Sequence, residues 1–319
     1  MDPSILLLKI KRVLTNPRVL LLKIKESRVW HMMKIKGVLT KSRVWHIWHM
    51  MKTKGVPAII PVPPAELKWE TDGILQINDI RFIVTYDADG LHSLNSSENC
   101  FVLGKDRTMI EKYFAISQAA EIRKVFEMGI FKGGSVVFYD QIFQLEKIAA
   151  IEFLGEPIQA LEEYIVSREK YDVVKPYYGI NQADRWTMGN ILSSEFPGKD
   201  IDLVIDDASH LYFETREAFN ITFPYLRVGG LYIIEDWAWA HWDGIWQEPQ
   251  KSFFSFKKPA LSNLLIELFM LAARCSLIEN IWVNHNFIMV KKGSGEFPQG
   301  NFDIADHYLL RDRRFESWL

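Results

Sequence analysis

The sequence predicts an α/β protein built on a doubly wound sheet, mostly parallel with an antiparallel last strand, and carrying a small N-terminal accessory region. Three observations carry this. From residue 119 onward, short apolar segments alternate with amphipathic ones, the grammar of a parallel sheet covered on both faces. The first apolar segment of that series runs into a glycine-bearing turn that opens a helix. Near the end, Ile281 to Asn284 and Phe287 to Lys291 are separated by two residues, which makes a hairpin and adds the antiparallel strand.

Residues 1–56 are a basic, repetitive extension. They hold 13 Lys and Arg against Asp2 and Glu26, leaving 25 basic and 38 acidic residues for the rest of the 319-residue chain. Leu6-Leu7-Leu8-Lys9-Ile10-Lys11 recurs as Leu20-Leu21-Leu22-Lys23-Ile24-Lys25, and Ser27-Arg28-Val29-Trp30-His31 recurs as Ser42-Arg43-Val44-Trp45-His46. The repeat length is near four helical turns, so basic amphipathic helices touching an anionic membrane surface or a partner are one reading. A loosely ordered duplicated extension is the plainer one. His31, His46 and His49 lie among Trp, Met and Lys with no carboxylate nearby, and a repeated surface motif explains them as well as a metal does.

Residues 57–118 read as a linker and a small accessory cap. Pro57 to Pro64 holds four prolines and is extended. Ile74 to Ile83 is strand-like with a turn at Asn78-Asp79, Val84-Thr85-Tyr86 continues it, and a polar stretch from Asp87 to Asn99 precedes a helix over Thr108 to Ala120.

Residues 119–319 hold the main domain and a C-terminal tail. The predicted elements are a strand at Lys124 to Glu127, a helix from Gly134, a strand at Ile148 to Glu152, a helix from Glu156 and a strand at Val173 to Tyr178. They continue with a helix near Trp186, a strand at Ile201 to Ile205, a helix after His210, a strand at Gly230 to Ile234 and a helix around Leu261 to Ala273.

Composition excludes several classes. With 48% hydrophobic and 24% charged residues, the chain has the balance of a folded globular protein. Lys or Arg interrupts every apolar cluster short of the roughly 20 residues that span a bilayer, and no small-residue cleavage site follows one. Two cysteines, Cys100 and Cys275, make neither a disulfide framework nor a thiolate cluster, so the expected compartment is the cytoplasm. The main domain is acidic and lacks a basic track, which argues against nucleic acid as a partner.

The turn Glu127-Met128-Gly129-Ile130-Phe131-Lys132-Gly133-Gly134-Ser135 is the first candidate site. Glycines there let the chain reverse and a ligand approach the backbone. A dinucleotide fingerprint needs Gly-x-Gly-x-x-Gly, but position 131 is Phe and the loop begins with an acid, which suits a cationic ligand. A tight strand-to-helix turn without a ligand is the alternative. The stretch resembles class I methyltransferases that bind S-adenosylmethionine on a Rossmann-like domain. That resemblance implies that Gly129, Gly133 and Ser135 line the cofactor, Glu127 receives its amino group and Glu152 its ribose. It also implies that Gln182 and Asp184, in Gly179-Ile180-Asn181-Gln182-Ala183-Asp184, sit at the adenine. Asp184 reads equally well as a helix cap.

The second candidate site is Ile205-Asp206-Asp207-Ala208-Ser209-His210, paired with Ile234-Glu235-Asp236. Carboxyl ends of neighbouring parallel strands line one crevice, so four carboxylates converge on it. Their repulsion is relieved by a hard divalent cation with oxygen ligands, magnesium rather than zinc. Asp-Asp-x-Ser-His followed by Ile-Glu-Asp resembles the magnesium-dependent sugar O-methyltransferases of macrolide antibiotic pathways, over roughly residues 120 to 292. The resemblance implies Asp207, Glu235 and Asp236 as metal ligands and His210 as general base. Asp206 is expected as a strand-end acid on the cofactor side, or as the ligand in place of Asp207. Asn181 departs from the pattern, where an acid is common before the Gln.

Trp237-Ala238-Trp239-Ala240-His241-Trp242, with Trp246 beyond, offers flat faces to a sugar ring, or simply packs in the core. The insertion that continues to Lys258 is long enough for a substrate lid. The expected protein is a homo-oligomer that methylates a hydroxyl of a small glycosylated acceptor. A catechol-like acceptor, or a non-catalytic adaptor working through its basic repeats, is the alternative.

Overall fold

All six residues of Ile201–Asp206 are buried, as in a strand covered on both faces. The computed structural model describes residues 66–247, 258–297, 300–313 and 315–317. The basic repeats, the proline-rich linker and residues 248–257 of the long insertion lie outside the described residues.

Two sheets are present among them. The first runs β1 (Lys68–Thr71), β2 (Ile74–Ile77), β3 (Ile80–Val84) and β4 (Cys100–Leu103) in that order. Its first three strands are antiparallel and β4 is parallel to β3. Asn78, with φ 54, turns β2 into β3. A short helix α1 (Ala88–Ser93) lies in the stretch expected to be polar loop, and α2 (Arg107–Ala119) follows β4.

The main sheet holds β5 (Lys124–Met128), β6 (Lys147–Glu152), β7 (Val174–Tyr178), β8 (Ile201–Asp206), β9 (Leu226–Glu235), β10 (Ile278–Val283) and β11 (Phe287–Lys292). Its seven strands lie in the order β10-β11-β9-β8-β5-β6-β7. All neighbours are parallel except β11, which is antiparallel to β9 and to β10, as the terminal hairpin predicts. This is the Rossmann-like doubly wound fold. Strand order reverses at β5 and β8, which opens a crevice beyond their carboxyl ends.

Alternation along the strands separates two cores. Val125, Ile148, Leu203, Ile205 and Ile233 face α3 (Gly134–Ile142), α4 (Gln159–Ser167), α2 and the small sheet. Phe126, Ala149, Val204, Tyr232 and Ile234 face α5 (Arg185–Glu195), α6 (Tyr212–Thr222) and α7 (Ser262–Arg274). On α7, Leu264, Leu268 and Leu271 supply the i, i+4, i+7 stripe of an amphipathic helix. The helix expected from Glu156 starts at Gln159 instead, because Pro157 biases its predecessor toward extended backbone.

One contact sets the small sheet against the main one. A Cβ on Gly134 would lie 2.0 Å from the Val102 carbonyl oxygen, so β4 passes directly over the start of α3. No helix among the described residues is long and apolar enough to cross a membrane.

Candidate functional site

A cavity of about 740 Å³ opens beyond the carboxyl ends of β5 and β8. Gly129, Ser135, Glu152, Gln182, Asp207, His210 and Asp236 line it, and so do Tyr86 and Lys105 from the small-sheet region.

The glycine turn forms its floor. Gly129 has φ 98, and a Cβ there would lie 2.0 Å from the Asp207 carbonyl oxygen, so this turn and the loop after β8 touch backbone to backbone. Gly133, at φ 81, caps α3. Glu152 accepts from the Ile130 and Phe131 amides at 3.1 and 2.8 Å and from the Leu154 amide at 3.1 Å, holding the turn in place. Glu127 is fully buried, and neither carboxylate oxygen makes a hydrogen bond of ordinary geometry. Burial pushes its pKa up to about 8, against the pull of the Lys105 charge and the Ser135 hydroxyl. A buried acid so poorly satisfied costs free energy until a cation or a better-placed donor reaches it.

The four carboxylates that were expected to converge divide into three environments, and strand parity is the reason. Asp206 shares a face with Val204, so it turns toward α5, where Gln182 Nε2 donates to it at 3.1 Å. Burial pushes Asp206 up to about 7. Gln182 Oε1 in turn accepts from the Ser209 amide at 2.9 Å, so this side chain pins the loop that carries His210.

Glu235 shares a face with Ile233 and turns the other way. Its carboxylate accepts from Lys105 Nζ at 2.8 and 2.7 Å and from the Tyr113 hydroxyl. Lys105 also reaches Asp207 Oδ2 at 2.9 Å. Lys105 and Glu235 are each 1% exposed. Burial weighs against charge on Lys105, but Asp207 and Glu235 outweigh it and hold the ammonium well above its ordinary pKa. Glu235, expected as a metal ligand, is therefore occupied by a lysine.

Asp207, His210 and Asp236 remain together. One ligand atom from each lies within 4.8 Å of the others. His210 Nε2 is 3.9 Å from Asp207 Oδ1. The Tyr86 hydroxyl donates to Asp236 Oδ1, and burial raises the Asp236 pKa while His210 pulls it down. His210 and Asp236 have φ 54 and 53, left-handed conformations that non-glycine residues rarely adopt and that cluster where side chains must be aimed.

Asp184 is not among the cavity-lining residues. It caps α5, accepting from the Trp186 and Thr187 amides and the Thr187 hydroxyl, and the hydroxyl and amide of Thr187 hold its pKa below the ordinary 3.8. Asp184→Ala is expected to lower the melting midpoint and Asp184→Asn to recover most of the loss, with cavity ligands bound equally by both. The folded carboxyl is the stronger acid, so the effect is full above 3.8 and fades as pH falls through the lowered value. Melting curves at neutral and acid pH check it.

The tryptophans split. Trp239 is 3% exposed and its indole donates to the His210 carbonyl at 2.7 Å, whereas Trp242 and Trp246 line the cavity. Lys105, Tyr113 and Tyr86 carry no spacing signal, and sequence reasoning passed over them. A lysine between an apolar strand and a capping aspartate reads as loop charge.

Comparison with known proteins finds sequence similarity over a short stretch. No family model matches the chain. Over 43 residues the chain is 51% identical to Demethylmacrocin O-methyltransferase of Streptomyces fradiae. It is also 51% identical over 43 residues to Mycinamicin VI 2''-O-methyltransferase of Micromonospora griseorubida. That stretch is O-methyltransferase-like. Each match takes in 14% of this chain and 11% of the relative, so the chain spans only a small part of the length of the curated relatives it matches. Among solved structures, the MycE methyltransferase of the mycinamycin pathway, in complex with Mg and SAH, is 24% identical with a TM-score of 0.42. That likeness covers 60% of this chain and 52% of the other.

Proposed function

We propose that the chain is an S-adenosylmethionine-dependent O-methyltransferase that uses a hard divalent cation and acts on a hydroxyl of a sugar or glycosylated natural product. The observation that supports it best is one cavity lined by the glycine turn that follows the buried Glu127 and, at its other edge, by Asp207, His210 and Asp236. The residues fit the donor. Glu127 lies buried in β5 without a hydrogen bond of ordinary geometry, Gly129 and Ser135 line the cavity, and Glu152 lies beside the turn for the ribose, while Gly133 turns toward Leu161 and lies outside the lining. They also fit a hard cation, since Asp207 and Asp236 offer oxygen and no thiolate is near.

Asp207 and Asp236 would hold the cation, which would offset their charge and favour alkoxide character in the acceptor hydroxyl. His210 then accepts the proton of the attacking hydroxyl, a task for which imidazole is the usual side chain. Gln182, through the Ser209 amide, and Trp239, through the His210 carbonyl, fix the loop that aims the imidazole. Trp242 and Trp246 give flat walls on which a sugar ring can lie.

The test is methyl transfer to a panel of glycosylated acceptors, read by mass spectrometry with and without chelator, beside calorimetry of donor binding. Asp207→Asn and chelator are each expected to lower turnover by about 100-fold or more while the donor still binds. A chain that does not bind S-adenosylmethionine, or methylates equally well in chelator, is not this enzyme.

A further inference from the structure

Lys105 is a buried site cation that no local spacing in the sequence announces, and its placement is too constrained to be incidental. We propose that Lys105 is a built-in counter-ion that withholds Glu235 from the cation site, so that a divalent ion is seated by Asp207 and Asp236 beside His210. This rests on the reading of that cluster as a cation site.

Three observations support it. First, Glu235 is closed off. Lys105 Nζ engages both of its oxygens at 2.8 and 2.7 Å, and the Tyr113 hydroxyl takes Oε1 as well. A metal that recruited Glu235 would have to break the ion pair and expel a buried ammonium. Second, Asp207 is divided. Its Oδ2 faces Lys105 at 2.9 Å while Oδ1 faces His210 at 3.9 Å, leaving one oxygen on the cavity side.

Third, the lysine is anchored from both directions. Neighbouring Asp106 caps α2 through the Met109 amide and accepts from Asn286 Nδ2 at 2.7 Å, and the Asn286 carbonyl accepts the Asp236 amide at 3.1 Å. The segment that carries the lysine is thus tied to the loop that carries the acid pair. Charge gives the reason for the arrangement. Asp207, Glu235 and Asp236 with one ammonium sum to two negative charges, which a single divalent ion balances. Without the lysine a third negative charge would remain, beside a carboxylate released to act as a ligand.

The sign of the outcome separates this from a merely structural lysine. Mn²⁺ binding to the full chain, followed by calorimetry and by electron paramagnetic resonance, should tighten about tenfold or more in Lys105→Met, because one more carboxylate joins the ion at short range. Its melting midpoint in chelator should fall below that of the wild type and recover when Mn²⁺ is added. The double variant Lys105→Met/Glu235→Gln removes both charges, a change that buried pairs tolerate better than loss of one partner, and keeps the site's net charge. It should bind Mn²⁺ within about threefold of wild type.

Binding by Lys105→Met that is unchanged or weaker overturns the proposal. Should that variant not fold, the double variant decides alone: a loss beyond about tenfold means Glu235 already serves as a ligand in the wild type, and the proposal fails. A wild-type chain that binds no Mn²⁺, with Asp236→Asn as the matched control, brings down the cation-site reading itself and this inference with it.

Discussion

Replacing His210 by asparagine is expected to lower kcat by roughly 10² to 10⁴-fold with donor affinity essentially unchanged. Asparagine is the informative choice because the position has φ 54, a conformation that Asn enters readily and alanine does not, so the backbone that aims the loop is kept. The proton acceptor disappears while the backbone amide of Ser209 stays on Gln182 and the indole of Trp239 stays on the carbonyl of residue 210. His210→Ala carries the backbone penalty as well and should show a lower melting midpoint in addition to the rate loss. Single-turnover methyl transfer, with donor binding measured by calorimetry, distinguishes the two. Turnover within a few fold of wild type in His210→Asn would move the proton elsewhere.

Gly129→Ala is expected to destabilise the fold by about 2–5 kcal/mol, combining the cost of a non-glycine residue in left-handed backbone with that of forcing an extra carbon into a packed contact. The added methyl would meet the Asp207 carbonyl oxygen at 2.0 Å, backbone against backbone, with no flexible side chain to give way. The only relief is to push the turn and the loop after β8 apart. That shift widens the cofactor floor and moves Asp207, so donor and cation binding should both weaken in the variant that still folds. Thermal melting and calorimetry check the pair. An unchanged melting midpoint with full donor binding would mean that the close contact does not hold the cavity together.

Much of the fold is written in local pattern. Strands β5 to β9 are short apolar segments between amphipathic helices, and the terminal hairpin is marked by two apolar segments with two residues between them. Boundaries drift where a single residue overrules the pattern, as at Pro157, which delays α4 to Gln159. Strands β1 and β4 stayed hidden because each is four residues long and Lys68–Thr71 is largely exposed. At the site, residue types and motif order brought Asp207, His210 and Asp236 to one cavity edge, while Glu127 is buried in β5 and outside the lining. What motif order cannot convey is which way adjacent acids point. Asp206 and Asp207, or Glu235 and Asp236, are neighbours in sequence, yet pleat parity sends one member of each pair away from the cleft. Lys105 was illegible for a related reason: its partners are 102 and 130 residues away, and no local spacing foretells a contact of that range.

The ion pair under the cleft also bears on how the chain folds. Glu235 ends the central strand β9, while Lys105 arrives from the segment between β4 and α2. Burying either charge without its partner is costly, so closure of the main sheet over Glu235 is favoured only with the small sheet docked. Two sheets that look separable on paper are thereby expected to melt in a single concerted event, which calorimetry would show as one transition. The acidic cleft comes into being only once that event is complete.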